Sequence, residues 1–253
     1  MTDSRRRFSD RVADYVRFRP GYPPGLVAEL LAAMKNTETS EAADIGSGTG
    51  IFTRLLLERG IRVYAVEPNA NMRQAAESHL ASYPDFVSID GDAENTGLAG
   101  ASVDLVTAAQ AFHWFNNDRS RAEFRRILKP GGRLALIWNR RRLSQPLQQA
   151  YDALLRKFAP EYGRVNHMNL SDDDLARFFS AGRMQVLRFD NSQRLDFDAL
   201  IGLLKSASYC PAEDTREFGL LRDELRRLFA RFADRDCIDL EYDTELYYGP
   251  VAG

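Results

Sequence analysis

The stretch ADIGSGTG, residues 43–50, joins a short apolar run to a helical pattern that opens at Ile51. Gly46, Gly48 and Gly50 carry no Cβ, so the chain can turn tightly there and bring bare backbone close to a ligand. A glycine motif gains meaning in this setting, a strand before it and a helix after it. The spacing is Gly-x-Gly-x-Gly, and Ile51 stands where a dinucleotide fingerprint has its last glycine. No Gly-Lys-Ser/Thr follows, which excludes a P-loop. Asp44 precedes the loop; its charge is unhelpful for gripping phosphates and acceptable beside a cationic ligand.

Outward from this loop, residues 42–139 alternate short apolar strands with helical patterns, the signature of βαβ units and a parallel sheet. Strands are expected at 42–45, 61–67 (IRVYAVE), 86–90 (FVSID), 103–110 (VDLVTAAQ) and 134–139 (LALIWN). Helices are expected at 51–59, from about Asn69 to 81, and at 119–128, with LKPGGR as a turn into the fifth strand. Beyond Asn139 the pattern loosens. Residues 145–160 read as a helix, 162–171 as a loop and 171–182 as a short helix capped by Ser171. A strand over 184–197, an amphipathic helix over 215–234 and a strand over 237–249 follow, so a final strand pair joins five parallel units. RPGYPPG, residues 19–25, is expected to be rigid and non-helical.

Composition narrows the function classes. With 253 residues the chain suits one sizeable domain, and no apolar run approaches a membrane span. The N-terminus has arginines without an apolar segment behind them and carries Asp3, Asp10 and Asp14, so neither a secretory nor a mitochondrial leader is expected. Cys210 and Cys237 show no metal-ligand spacing, which fits a reducing cytoplasm and gives no metal site. A net charge of −2 supplies no field for nucleic acid. The local clusters Arg5–Arg7 and Arg140–Arg142 read either as solvated surface or as a site for an acidic substrate.

Glu67 closes the second strand, 21 positions after Gly46, where an acid can accept both hydroxyls of a ribose in NAD or S-adenosylmethionine sites alike. Pro68 follows at the strand exit. In GDAEN, residues 91–95, Asp92 would accept an adenine amine with the Ala93 backbone at the ring edge, or serve only as a turn residue.

Taken together, these segments resemble the class I S-adenosylmethionine-dependent methyltransferases. ADIGSGTG, VYAVEPNANM, GDAEN, FHWF and LKPGGRLAL occur in family order over residues 40–140. The resemblance implies an α/β, Rossmann-like, doubly wound, mostly parallel seven-stranded sheet in the order 3-2-1-4-5-7-6. It further implies an N-terminal helical cap (1–40), a cofactor-binding core (41–140), an inserted lid after strand 5 (141–180) and C-terminal strands and helices (181–253) in one domain. On that likeness S-adenosyl-L-methionine is the cofactor. Gly46, Ser47, Gly48 and Gly50 would wrap its methionine portion, Asp44 would fix the loop, and Glu67 and Pro68 would face the ribose. Asn69, Met72, Asp92 and Ala93 would surround the adenine, with Gln110 nearby. RVADYVRFRPGYPPGLVAELL (11–31) together with FHWF is similar to the small-molecule, type 11 and trans-aconitate methyltransferase-like group. There Tyr15 and Arg19 would cover the cofactor, with Arg19 near the methionine carboxylate.

AFHWF, residues 111–115, then falls at the end of strand 4, beside the switch point where open α/β sheets bind ligands. Trp114 would offer a flat wall to a sulfonium. His113 is either a general base or a polar contact. Phe115, Tyr209 of SASYC (206–210) and at least one of Arg140, Arg141 and Arg142, with Arg140 preferred, are candidates for the acceptor. No Asp/Asn-Pro-Pro-Tyr follows strand 4, which disfavours methylation of base or glutamine amino groups, and no aromatic basic stripe points to RNA. The expected function is methyl transfer to a small molecule at a carboxylate oxygen, in a cytoplasmic monomer or weak homodimer without nucleic-acid or membrane partners. Methylation of another oxygen or nitrogen, a non-catalytic S-adenosylmethionine-binding regulator and an NAD-dependent oxidoreductase are the alternatives.

Overall fold

The computed structural model describes residues 12–32, 40–163 and 171–253. The Arg5–Arg7 cluster and residues 164–170 of the expected insertion lie outside them. Five strands run parallel: β1 (Glu41–Ile45), β2 (Arg62–Val66), β3 (Phe86–Ile89), β4 (Val103–Ala109) and β5 (Leu128–Arg141). β6 (Gln185–Leu195) and β7 (Ile238–Gly249) complete the sheet, β7 lying antiparallel to both β5 and β6. The order is β3-β2-β1-β4-β5-β7-β6, the doubly wound arrangement expected. β1 lies between β2 and β4 with four successive buried residues, as a strand covered on both faces must.

The covering helices follow the same logic. On one face α2 (Pro24–Ala32), α3 (Ile51–Leu57) and α4 (Ala70–Leu80) bury Leu26, Leu30, Phe52, Leu56 and Leu80. On the other, α5 (Asp118–Ile127) contributes Phe124 and Ile127 to a core with Phe112, Trp138 and Phe178, the last lying just beyond α7 (Asp172–Ala176). A third cluster joins α6 (Pro146–Phe158), α8 (Phe197–Lys205) and α9 (Arg216–Phe232) to the ends of β6 and β7, through Leu155, Leu204, Leu225 and Leu240. Helix starts are set by side chains. Asn69 Oδ1 accepts the backbone N–H groups of Asn71 (3.0 Å) and Met72 (3.1 Å), and Ser171 forms a capping box with Asp174.

Two segments differ from expectation. LKPGGR does not separate α5 from β5: β5 already begins at Leu128, and its pairing with β4 jumps from Val103–Leu128 to Leu105–Arg133. The extra residues bulge out because Pro130 has no N–H to donate and Gly131 adopts a φ of 87°. RPGYPPG is non-helical only through Pro23. α2 starts at Pro24, since a proline in the first helical turn removes only an N–H that has no helical partner. Ahead of it, α1 (Val12–Phe18) carries Tyr15 toward the strand ends.

Candidate functional site

Three adjoining cavities open at the carboxyl ends of β1, β2 and β4, and Tyr15 and Gln110 line all three. The first, of about 340 Å³, is bounded by the glycine loop, the end of β2, GDAEN and the turn after β4. Gly46 N–H and Ser47 N–H both donate to Val66 O, tying the loop across to β2. A Cβ at Gly46 would meet Ala111 Cβ at 2.7 Å, so that glycine is required by packing. A Cβ at Gly48 would have nothing nearer than Tyr15 Cε1 at 4.0 Å, so that glycine faces open space in the cavity.

Glu67 organises the same loop. Its Oε2 accepts Gly48 N–H at 2.9 Å and its Oε1 accepts Asn69 N–H at 2.8 Å, joining the glycine turn to the start of α4. Burial raises its pKa, opposed by these backbone donors and by Arg73. Each carboxylate oxygen has a further lone pair for a ligand hydroxyl. Asp44 is buried beneath the loop, where Oδ2 accepts Thr53 Oγ1 (2.7 Å) and Oδ1 accepts Thr107 Oγ1 (2.8 Å). It thus ties β1 to α3 and β4. Burial pushes its pKa up to about 6 against the threonine hydrogen bonds. Pro68, Asn69, Met72, Asp92 and Ala93 line this cavity, and Asp92 also accepts the N–H groups of Glu94 and Asn95 at 3.0 Å. Both readings of Asp92, turn residue and cavity wall, therefore hold for its placement. Gly50 does not line the cavity; it underlies the loop, with Leu80 Cδ1 2.6 Å from where its Cβ would be.

A small cavity of about 40 Å³ lies between Ser47, Asp44, Arg19 and Tyr22. Ser47 Oγ and Arg19 Nε are buried without a hydrogen-bond partner. Arg19 Nη2 donates to Ser206 O at 3.0 Å, and its guanidinium lies 4.9 Å from the Tyr15 ring centroid. Burial raises the Tyr15 pKa against the pull of Arg19, with Glu67 and Asp44 adding to the rise, so the phenol stays protonated.

AFHWF divides by position. Phe112 is fully buried and packs edge-on against Phe178 (4.6 Å between centroids) and Trp138 (6.0 Å). With Phe112 as anchor, the turn presents His113, Trp114 and Phe115 to the cavities. Phe115 borders the glycine-loop cavity, whereas Trp114 borders both that cavity and the next. Phe115 thus lines the glycine-loop cavity and not the cavity around Arg141. Gln110 enters the turn with a φ of 59°, a left-handed conformation costing a non-glycine residue about 1–3 kcal/mol. Burial, then the charge of Arg19, lowers the His113 pKa to about 4, so the imidazole is neutral at neutral pH.

The neighbouring cavity, of about 130 Å³, has Arg19 and His113 on one side and Arg141, Tyr151, Tyr162, Tyr209 and Tyr242 on the other. Arg140, the arginine preferred from sequence, points away: its Nε lies 2.6 Å from Glu245 Oε2, and Glu245 also receives Arg188 and the Tyr247 hydroxyl. Arg142 pairs with Asp190 and Asp243. Arg141 alone of the three faces the cavity, because successive strand residues point to opposite sides. Its Nη2 donates to Tyr162 Oη at 2.5 Å, its guanidinium lies 5.0 Å from the Tyr151 ring centroid, and its Nη1 is buried without a partner. Among the described residues, no carboxylate lies within ion-pair distance of Arg141. Tyr162 Oη in turn donates to Asp152 Oδ1 at 2.6 Å. Burial pushes the Asp152 pKa up, but Tyr162 and Arg156 outweigh it and hold the carboxyl below its usual range. Tyr209 stands where expected, against Tyr162 at 4.9 Å between centroids. Tyr151, Tyr162 and Tyr242 belong to no motif, and only the helix and strand patterns that carry Tyr151 and Tyr242 were visible in sequence.

Comparison with known proteins gives the lineage of this arrangement. Residues 43–136 match the family described as methyltransferase domain. An uncharacterized methyltransferase of Mycobacterium tuberculosis is 35% identical over 236 residues, covering 91% of this chain and 90% of that one. An uncharacterized methyltransferase-like protein of Schizosaccharomyces pombe is 31% identical over 244 residues, covering 94% and 92%. Among solved structures, a proposed type II methyltransferase from Anaeromyxobacter dehalogenans shares the fold, with a TM-score of 0.68, 24% identity and coverage of 92% and 98%. Phosphoethanolamine N-methyltransferase 2 of Haemonchus contortus, solved with S-adenosyl-L-methionine, aligns with a TM-score of 0.59 at 14% identity over 97% of this chain and 57% of that one.

Proposed function

The chain belongs to the class I S-adenosylmethionine-dependent methyltransferases, and on that premise we propose that it methylates a carboxylate oxygen of a small acceptor held in the cavity around Arg141. The larger cavity fits the cofactor. Its volume lies in the range of ligand sites, Gly48 leaves backbone open to it, and Glu67 retains acceptor capacity at the end of β2. Glu67 would take the ribose, Asp92 and Ala93 the adenine edge, and the glycine loop with Arg19 and Ser47 the methionine end. Bound there, S-adenosylmethionine supplies an electrophilic methyl group on a sulfonium sulfur.

One observation carries the choice of acceptor: Arg141, half-buried, lines a tyrosine-rich cavity, its Nη1 is buried without a partner, and among the described residues no carboxylate lies within ion-pair distance of it. A buried N–H left unpaired is costly, and an acidic acceptor would complete the pair in a charge-assisted geometry. A carboxylate acceptor must be oriented in line with the methyl group and kept dry, and it needs no base. Tyr15, Gln110 and Trp114 form the wall between the two cavities and would set that alignment. His113 suits this reading better than base catalysis. Its conjugate acid, with a pKa of about 4, is a poor match to a proton transfer at neutral pH.

The same proposal sets the enzyme in the cytoplasm, as a monomer or weak homodimer, with Cys210 and Cys237 as free thiols. Among the described residues no helix is long and apolar enough to cross a membrane. The test is formation of S-adenosylhomocysteine over a panel of small carboxylic acids and their amides and alcohols. Turnover confined to acids, and lost in Arg141→Met, is expected. Turnover on amines or phenols that survives Arg141→Met would overturn the assignment.

A further inference from the structure

Resting on the reading that the larger cavity holds the cofactor, we propose that Gly202 and Gln193 are positioning residues: they dock residues 12–22 onto α8 and β6, so that Tyr15 and Arg19 complete the cofactor site. The segment cannot hold itself. α1 has seven residues, too few for a helix to be stable alone, and its last carbonyls have no helical partner. Its placement is therefore set by what it lies against.

Two contacts fix it at Phe18. The Phe18 ring fills the space above Gly202 in the middle of α8, where a Cβ would lie 2.1 Å from Phe18 Cδ2 and 2.2 Å from Cε2. Gln193 Nε2, from β6, donates to the Phe18 carbonyl at 2.7 Å. Further along, Asn139 Nδ2 and Asn191 Nδ2 both donate to Gly21 O at 3.0 Å. At the other end Lys205 Nζ lies 3.4 Å from Asp14 Oδ2. Between these anchors Tyr15 lines all three cavities and Arg19 lines two, while Gly202 and Gln193 line neither the glycine-loop cavity nor the Arg141 cavity.

Glycine is otherwise a poor choice in a helix interior, where alanine is the better helix former. Phe18 explains it. Gly202→Ala would strengthen α8 by propensity while pushing the Phe18 ring, and with it Tyr15 and Arg19, off their seats. A glycine serving only α8 would give the same equal or higher melting temperature but leave ligand binding and exchange over 12–22 unchanged.

The experiment titrates the full chain with S-adenosylhomocysteine by calorimetry and follows amide exchange across residues 12–22, with thermal melts as control. Gly202→Ala is expected to melt no lower than wild type, to exchange faster over 12–22 and to bind the probe about tenfold more weakly. Gln193→Ala should move both readouts the same way, by about fivefold in affinity for one lost hydrogen bond. Phe18→Leu in the Gly202→Ala background should relieve the clash and restore affinity to within about threefold. Wild-type affinity in Gly202→Ala, or exchange over 12–22 that stays slow in both variants, would overturn the docking role. A wild-type chain that binds no S-adenosylhomocysteine overturns the cofactor reading as well. That outcome is told apart from failure of the docking alone by the wild-type titration.

Discussion

Replacing Asp44 with Asn tests the electrostatic reading of the glycine loop without needing the acceptor. Asp44 is 1% exposed, and burial, opposed by Thr53 and Thr107, lifts its pKa from 3.8 to about 6. The folded chain then holds the proton more tightly than the unfolded one. The resulting stabilisation is fully present below pH 3.8 and is lost as pH rises through about 6. At 1.36 kcal/mol per pKa unit the whole effect is roughly 3 kcal/mol, of which roughly 2 kcal/mol falls between about pH 4.5 and about pH 7.5. Asn keeps the shape, accepting from one threonine and donating to the other, but does not titrate. The assay is urea unfolding of both proteins across that window. His113 slopes the other way: burial lowers its pKa to about 4, so its contribution is present above its ordinary 6.5 and lost on acidification. The wild-type curve therefore mixes both groups, and the difference between the two proteins isolates Asp44. Asp44→Asn should gain roughly 2 kcal/mol on wild type as pH rises across the window. A difference that is flat, or that falls with pH, refutes the buried-carboxylate account.

Four further variants test the site. Gly48→Val should lose calorimetrically detectable S-adenosylhomocysteine binding and melt lower than wild type, because its Cβ enters open space but a φ of 58° strains a β-branched side chain. Gly46→Val should fail to fold, because its Cβ would lie 2.7 Å from Ala111 Cβ. Glu67→Gln should retain its circular dichroism spectrum and weaken the same binding by about tenfold or more, since hydrogen bonds to a charged group contribute about 1.5–3 kcal/mol. Once an acceptor is in hand, His113→Ala should keep turnover within about tenfold, short of the roughly 10²–10⁴-fold expected for a lost general base. Its pH–rate profile between about pH 6 and about pH 8 should match that of wild type.

The cofactor half was legible because its constraints fall on neighbouring residues. A parallel strand buried on both faces reads as an unbroken apolar run, and the turn after it must shed its Cβ atoms where backbone meets backbone or ligand. Gly46, Gly48, Glu67 and Asp92 each occupy a strand end, so element order alone brings them to one crevice. Asn69 was legible as a helix start for a local reason, its side chain accepting from the two N–H groups that follow. LKPGGR misled because proline and glycine signal a turn equally whether the chain leaves the sheet or bulges within it. Gly202 gave no signal at all, since what it answers to is a phenylalanine 184 positions earlier.

The Arg140–Arg142 cluster marks where the acceptor side stops being legible. Residues 134–139 of β5 are buried on both faces, so no alternation of apolar and polar residues fixes which arginine points where. The parity is set by β7, which places Arg140 opposite Asp243 and Arg141 opposite Tyr242. Arg140 then meets Glu245, while Arg141 enters a cage completed by Tyr151 of α6, Tyr162 beyond it and Tyr209 beyond α8. A cation whose partners come from so many separate segments has no spacing to read. The distribution also has a physical sense. The cofactor is common to the family, and the contacts proposed for it sit at the ends of β1, β2 and β4. Arg141 and its tyrosines sit at the sheet's far side and on the helices packed there, where, on the proposed assignment, substitutions would alter the acceptor while leaving the glycine loop, Glu67 and Asp44 untouched. If Arg141 binds an acidic acceptor as proposed, the tyrosine cage is the place where a change of acceptor acid would be engineered, with Arg141 held fixed.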